Sequence, residues 1–306
     1  KIIKGELKTL NETVIKKLIK SCNQRCIVVP LSAGYDSRFI LAGLIKQGYK
    51  NIFSFSYGRK NNRDYVIAKK ITDFLKIPWM FIELNNKKLK KTMLSKEYKK
   101  FIEFSDTTNS IHFPQDFFAI QTLKKNNIIP KNSIIVNGQT GDFISGNHIQ
   151  FKGKTVSYEE LLDSFLLKHY KMSNLLLALE NQEVKNQLRK RIASYNIETS
   201  ITENVYEALE KIEYEDRQAK YVMAGQRTYE YFGYDWRLPL WDIEYVSFWE
   251  KINIKHKVNQ ALYKEVLIEQ NWANIWKNYE LNPKNSFSAG ITILRFLFKC
   301  IFLIFG

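Results

Sequence analysis

The sequence predicts an α/β protein built on a parallel sheet, and three observations predict it. Short, mostly apolar runs of strand length, "CIVVPL" (26–31), "NIFSFSYG" (51–58) and "WMFIEL" (79–84), alternate with segments at 37–47 and 63–75 whose apolar residues recur at helical spacing. A turn of small and polar residues, "LSAGYDS" (31–37), joins the first strand to its helix. At 306 residues, 45% of them hydrophobic and 25% charged, the chain can bury a full core.

Each element has its own signal. Residues 1–24 read as a helix with Leu7, Leu10, Val14, Ile15 and Leu18 as its apolar stripe. The first strand carries Val28, Val29 and Leu31, and the following helix carries Phe39, Ile40, Leu41, Leu44 and Ile45. The Lys-rich stretch over 86–104 reads as a solvated helical face rather than a nucleic-acid patch, because aromatic interleaving is sparse. A helix opening near Pro114 leads to "NSIIVNGQTGDFISGN" (132–147), a strand ending in a glycine-rich turn. From about 156 the pattern is helical and no further strand run stands out. The expected organisation is therefore an N-terminal helical segment (1–24), an α/β core (25–155) and a helical substrate-side subdomain (156–306).

Charge bounds the ligands without choosing among them. The balance of 47 Lys+Arg against 31 Asp+Glu gives +16, which suits nucleotides, nucleic acid, acidic sugars or anionic lipid. Part of that basicity is compositional background, since Lys, Asn and Ile are abundant and Ala is scarce. Cys22, Cys26 and Cys300 do not form the two pairs of a zinc site, and His112, His148, His169 and His256 lack metal-ligand spacing. Reduced thiols fit a cytoplasmic enzyme. No signal peptide opens the chain, and Lys1 in place of Met points to a trimmed chain or a fragment. The apolar stretch 291–306 falls short of the roughly 20 residues a spanning helix needs. It is broken by Arg295 and Lys299 on one helical face, which favours an amphipathic helix packed on the domain over peripheral contact with the inner face of a membrane.

The turn at 31–37 is where chemistry concentrates. Unpaired N–H groups and the positive end of the helix dipole make an anion site there. Small side chains at Ser32, Ala33 and Gly34 let an oxyanion approach the backbone, Gly34 is suited to a positive φ, and the Ser32 and Ser37 hydroxyls add donors. Asp36 would repel a phosphate unless a cation such as Mg²⁺ lay between them, so phosphate plus metal is the economical reading. In open parallel sheets ligands sit beyond the carboxyl ends of strands, so this turn and the one at Gly138–Asp142 are expected to face one pocket.

The turn has neither the Lys-Ser/Thr of a Walker loop nor the G-x-G-x-x-G of dinucleotide folds. "SAGYDS" instead resembles the SGGxDS pyrophosphate loop of the ATP-pyrophosphatase families, with Ala33 replacing one glycine. By itself it leaves asparagine synthetases, lysidine-forming tRNA ligases, GMP and NAD synthetases and thiouridine enzymes in play. "NGQTGDFISGN" resembles the second asparagine-synthetase motif, S-G-E-G-x-D-E-L-F-G-G, at Gly138, Asp142 and Gly146. "YEYFGYDWRLPLWD" (229–242) is similar to that family's E-A-R-x-P-F-L-D segment through Arg237, Pro239, Leu240 and Asp242. "LYKEVL" (262–267) and "NPKNSFSAG" (282–290) are similar to its K-x-x-L-R helix and its lysine-bearing segment. These ordered matches resemble the synthetase domain of class B asparagine synthetases, without the glutaminase domain.

The resemblance implies an adenine nucleotide alpha-hydrolase-like (ATP pyrophosphatase) fold, with ATP and Mg²⁺ as cofactors. It implies that Leu31, Ser32, Ala33, Gly34, Asp36 and Ser37 surround the pyrophosphate moiety, that Gly138 lies against the nucleotide, and that Asp36 and Asp142 hold the metal. Lys284 would be the cation stabilising charge as an acyl-adenylate forms, and Gln139 would stand where the family carries a Glu that positions or deprotonates the incoming amine. An amide cannot act as a general base, and Phe143 replaces a second acidic residue, so adenylation is retained while activation of the nucleophile is changed. The expected function is a cytoplasmic ATP-dependent amide ligase acting on a small-molecule carboxylate, such as a uronic acid of surface polysaccharide. Its amine would be ammonia from solution or from a separate glutaminase. A tRNA-modifying ATP pyrophosphatase and a non-catalytic nucleotide-binding scaffold of the same fold are the alternatives.

Overall fold

The computed structural model describes residues 2–149, 156–169 and 182–279. Lys284 and the apolar stretch 291–306 lie outside them. The described residues fall into two compact units, 2–149 with 214–279, and 156–169 with 182–213.

In the first unit α1 (Ile2–Cys22) precedes strand β1 (Ile27–Pro30), which leads through the small-residue turn into α2 (Tyr35–Lys46). There follow β2 (Ile52–Gly58), α3 (Arg63–Leu75), β3 (Trp79–Glu83), α4 (Asn86–Met93), α5 (Lys96–Ser105), α6 (Phe117–Lys125), β4 (Ile134–Val136) and the single turn α7 (Gly141–Ile144). A fifth strand, β5 (Asp235–Arg237), returns much later. The five strands form one sheet in the order β3-β2-β1-β4-β5, and every neighbouring pair is parallel. The alternation of strand runs and helical segments thus has the predicted consequence.

Both faces of the sheet are covered, which is why its central strands are apolar at consecutive positions. Ile27, Val29, Ile134 and Val136 join the core shared with α1, α2, α3 and the helices after residue 243. Val28, Phe55 and Ile135 face the other way, against Phe101, Phe117, Ile120 and Tyr229. Burying each such side chain is worth roughly 1.5–3 kcal/mol. Helix α2 is apolar nearly all round because it is enclosed; Phe39, Ile40, Leu41, Ala42 and Leu44 are all buried completely.

Strand β5 is the element that the apolar pattern does not reveal. Its residues Asp235, Trp236 and Arg237 pair with Ile134, Ile135 and Val136 of β4, so the ladder rather than apolar periodicity makes them a strand. The second unit begins near the division expected at 155, whereas 2–24 and 214–279 both belong with the sheet-bearing unit. Leu7, Val14, Ile15 and Leu18 of α1 and Val266, Leu267 and Trp272 near the end share one core with the sheet. The second unit is helical, with Tyr158–His169, Gln182–Ala193 and Thr202–Glu213. Its core includes Leu162, Leu166, Ile192, Val205 and Ile212, and the buried Glu213 carboxylate accepts from Lys168. No helix among the described residues is long and apolar enough to cross a membrane.

The packing of α1 on α2 is tight at Gly43, where an added Cβ would lie 2.6 Å from Ile15 Cγ1. Replacing Gly43 by Ala is expected to lower the unfolding free energy by about 1 kcal/mol, overpacking outweighing the gain in helix propensity. Denaturant titration checks this; in an Ile15→Ala background the same change should cost less.

Candidate active site

The sheet order places a switch point at β1. The chain moves from β1 to β2 on one side and later adds β4 on the other, and the edge beyond the carboxyl ends of β1 and β4 is where open parallel sheets place their ligand crevice. The turn 31–34 and the loop 137–140 leave from those two ends. The pairing of the two motifs is therefore a consequence of topology.

The first turn differs in detail from the open anion cradle its composition suggests. Gly34 caps α2 with φ −78° and ψ −179°, an extended conformation rather than a positive φ. The three amides of the turn are already engaged. Ser32 N–H donates to Ser37 Oγ at 3.0 Å, Ala33 N–H to Asp64 Oδ1 at 2.8 Å, and Gly34 N–H to Ser32 Oγ at 3.1 Å. A phosphate approaching this turn would meet the two hydroxyls first, and would reach the Ala33 amide only by taking the place of the Asp64 carboxylate. Leu31 continues the sheet: its N–H bonds the Phe55 carbonyl at 2.8 Å, its carbonyl accepts from Ser56 at 2.6 Å, and its side chain is in the core. Asp64, in the first turn of α3, was not singled out from the sequence, although its place just after β2 puts it at the same edge.

Beneath the turn, Arg38 is completely buried. Its Nη1 donates to the carbonyls of Ile275 (3.2 Å) and Tyr279 (3.1 Å), its Nη2 reaches the Ala33 carbonyl at 3.4 Å, and the guanidinium lies 5.7 Å from the Trp276 ring centre. Burial lowers its pKa to about 10, which still leaves a cation at neutral pH.

Asp36 and Asp142 come together. The backbone N–H of Asp142, in the first turn of α7, donates to Asp36 Oδ2 at 3.0 Å, and the Tyr263 hydroxyl donates to Asp36 Oδ1 at 2.9 Å. Two glycines make this approach feasible. A Cβ on Gly138 would lie 2.4 Å from Asp36 Cβ and 2.8 Å from its carbonyl carbon, and one on Gly141 would lie 2.7 Å from the Asp36 carboxylate and 2.3 Å from Leu240 Cδ1. Gly138 thus makes room for the start of α2, whatever contact it makes with a nucleotide. Between them Thr140 holds φ +76°, a left-handed conformation rare for this residue type. Its hydroxyl accepts from Trp241 Nε1 at 2.8 Å and donates to Gln218 Oε1 at 3.1 Å, which offsets the strain. Gly141, Thr140 and Tyr263 were not identified as site residues from sequence; the glycine-rich character of the loop pointed towards the first two, and Tyr263 lies within the quoted segment 262–267.

Desolvation, then the nearby Asp142 charge, raises the Asp36 pKa from 3.8 to about 8 against the two hydrogen bonds that lower it. Two adjacent carboxylates are a hard-oxygen donor set, and among the described residues no third His, Cys, Asp or Glu joins them to make a protein-only metal cage. That donor set fits Mg²⁺, which commonly uses one or two carboxylates with phosphate oxygens and water.

Other residues of the expected motifs have structural partners. Arg237 Nε donates to Ser21 Oγ of α1 at 3.3 Å, and Asp242 caps the helix Ile243–Lys251 while pairing with Lys17 at 3.1 Å. Leu240 packs on Gly141, so this segment supports the second loop rather than supplying it with charge. Gln139 accepts from the Gln226 side-chain amide, and its N–H donates to Asn137 Oδ1 at 3.1 Å.

A family model described as "Queuosine biosynthesis protein QueC" matches residues 25–129. A 7-cyano-7-deazaguanine synthase from Caldicellulosiruptor bescii is 25% identical over 111 residues, 36% of this chain and 45% of that protein. The chain therefore matches less than half the length of that curated relative. The α/β parallel-sheet fold is the adenine nucleotide alpha-hydrolase-like one expected, and the likeness is to the PP-loop ATP pyrophosphatase superfamily. It does not single out asparagine synthetases, and it supports the alternative of an ATP pyrophosphatase related to base modification better than the amide-ligase expectation.

The Asp36 shift has a defined sign. In the metal-free protein the folded state keeps a proton between about pH 4 and about pH 8 that the unfolded chain has lost, so this group's contribution favours folding at low pH and is lost as pH rises through that window. Asp36→Asn should therefore raise the urea midpoint relative to the unsubstituted protein more at pH 8.5 than at pH 5. Added Mg²⁺ should narrow the difference at pH 8.5.

Proposed function

We propose that this protein is an ATP pyrophosphatase that activates its substrate by adenylation. A substrate oxygen attacks the α-phosphorus, the bond to the bridging oxygen of the β-phosphate breaks, and pyrophosphate leaves; a nitrogen nucleophile then displaces AMP. The observation that carries this reading is the contact of Asp142 with Asp36 at the mouth of the β1 turn. In this reading the Ser32 and Ser37 hydroxyls and the N-terminal turn of α2 bind the departing pyrophosphate, and the Arg38 cation behind the turn adds positive potential. Asp36 and Asp142 would hold Mg²⁺, which when bound neutralises the leaving group. Lys284 is the further cation we assign to adenylate formation by resemblance to the asparagine synthetases.

Two readings of the substrate are supported by different parts of the chain. The family match over 25–129 and the deazaguanine-forming relative favour a modified base, free or in tRNA, and this is the reading the comparisons support better. The resemblance of 137–147 and 229–242 to asparagine-synthetase motifs favours a small carboxylate converted to an amide with ammonia. A uronic acid is the candidate that also suits the net charge of +16.

The test is release of AMP and pyrophosphate from Mg·ATP with ammonium and, in turn, a 7-deazaguanine base, bulk tRNA, and sets of uronic and amino acids. One class should stimulate release at least about tenfold, and Asp142→Ala should lower that kcat/KM by about 10²–10³. A gel shift with tRNA separates a nucleic-acid substrate from a small one. Release of ADP would refute the proposal, as would absence of both turnover and calorimetric Mg·ATP binding, the behaviour of a scaffold.

A further inference from the structure

Gln139 stands in the same loop as Asp142, and the direction in which its amide points can be derived from its neighbours. A backbone N–H can only donate, so the Asn137 atom that receives the Gln139 N–H at 3.1 Å is Oδ1. Asn137 Nδ2 then donates to Gln226 Oε1 at 3.2 Å and to the Tyr229 hydroxyl at 3.1 Å. With its oxygen so used, Gln226 presents Nε2 to Gln139 and donates to Oε1. The Gln139 Nε2 group is left with its hydrogens directed away from this chain of bonds, and no described residue accepts from it.

The far end of the network requires the same polarity. The Tyr229 hydroxyl, having accepted from Asn137, donates to Asp116 Oδ2, while the Tyr57 hydroxyl donates to Asp116 Oδ1. Asp116 is an acceptor on both oxygens, as a carboxylate must be. A main-chain N–H at one end and a carboxylate at the other thus impose one orientation on all three amides. The network is enclosed: Asn137, Gln226 and Tyr229 are 6%, 1% and 1% exposed. The irregular chain before it serves this placement, a π-helical stretch over Tyr214–Val222 and a 3-10 turn over Met223–Gln226 bringing Gln226 in at the end. Gly225 leaves room for the amide, since a Cβ there would lie 3.2 Å from Gln139 Nε2 and 2.6 Å from Phe113 Cδ1.

We propose that Gln226 acts through Gln139 to set a donor-only subsite, so that the substrate group lodged at Gln139 is an acceptor oxygen, a carboxylate or carbonyl, and not an amine awaiting deprotonation. This rests on the adenylating reading of the site. The nucleophile then arrives with its lone pair already free, because Gln139 accepts no proton. Gln226 is a positioning residue and Gln139 determines specificity.

Gln226→Glu tests this by inverting the amide without altering the residue that meets substrate. One oxygen of the new carboxylate keeps the bond from Asn137, and the other can only accept, so Gln139 must turn its Nε2 inward and present Oε1. In wild-type protein, side-chain amide exchange measured by ¹⁵N NMR should show Gln226 Nε2 protected and Gln139 Nε2 open; in Q226E, Gln139 Nε2 should become protected about tenfold. An open Gln226 amide in the wild type, or unchanged Gln139 exchange in a folded Q226E, overturns the proposal. This arm needs no substrate and stands apart from the adenylation reading. In pyrophosphate release with whichever base, uronic acid or amino acid is turned over fastest, Q226E should raise the KM for that substrate about tenfold while the KM for ATP moves less than about twofold. An unchanged KM for that substrate overturns the subsite. Should Q226E not fold, Gln226→Met, which frees the Gln139 amide without offering an acceptor, should raise the same KM at least about threefold, and failure to do so counts equally against it.

Discussion

The close approach of the 138–141 loop to the first turn of α2 is the constraint on which the site depends. Asp36 fits there because Gly138 and Gly141 have no side chains, and the contact brings the Asp142 backbone onto the Asp36 carboxylate. The arrangement is unfavourable in isolation, since it desolvates a carboxylate beside another. Repulsion of this kind is expected where a cation is to be received, and it is a physical reason to treat the pair as functional. The sheet makes it feasible at small entropic cost, because β1 and β4 are hydrogen-bonded neighbours whose carboxyl ends lie side by side.

Charge around this point is layered. The Asp36 carboxylate accepts from the Asp142 backbone and Tyr263, while the buried Arg38 guanidinium lies behind the turn on main-chain carbonyls, including that of Ala33. These carbonyl acceptors are neutral and do not cancel the guanidinium charge, whose field adds to that of the α2 N-terminus. Its other carbonyl partners, at Ile275 and Tyr279, belong to the segment that leads to Lys284 in the sequence. The turn also contains its own anion: the Asp64 carboxylate sits on the Ala33 amide. An anion reaching the Ala33 amide would thus have to exchange hydrogen-bond partners with that carboxylate.

A second layer of organisation is polar and lies at the same edge of the sheet. Tyr57 at the end of β2, Asp116 before α6, Asn137 after β4, and the neighbouring Gln226 and Tyr229 belong to four separated stretches of chain, yet they form one directed set of hydrogen bonds ending at Gln139. Burial raises the pKa values of both tyrosines, so their hydroxyls remain donors throughout the physiological range. A buried network satisfied in only one sense specifies a unique arrangement, whereas an apolar core of the same volume would leave the loop free to choose. The Gln139 amide is thereby matched by a partner elsewhere in the chain.

What the sequence determined by itself was what local pattern encodes. The segment 63–75 is helical from Arg63 to Leu75, and the first three strands lie within a residue of their apolar runs, because burial on both faces selects such runs. The convergence of Asp36 and Asp142 was also legible, through the rule that loops at adjacent carboxyl ends share a crevice. Only tertiary structure decided the rest. Strand β5 owes its conformation to β4, Gly34 is extended because Ser32 and Ser37 bond across it, and Arg237 and Asp242 are claimed by α1. Asp64 and Gln226 enter the site at sequence separations of 31 and 87 from Ala33 and Gln139 respectively. Periodicity records which face of an element is buried, but the partner of a polar group is fixed only when distant segments meet, and that information resides in no single stretch of the chain.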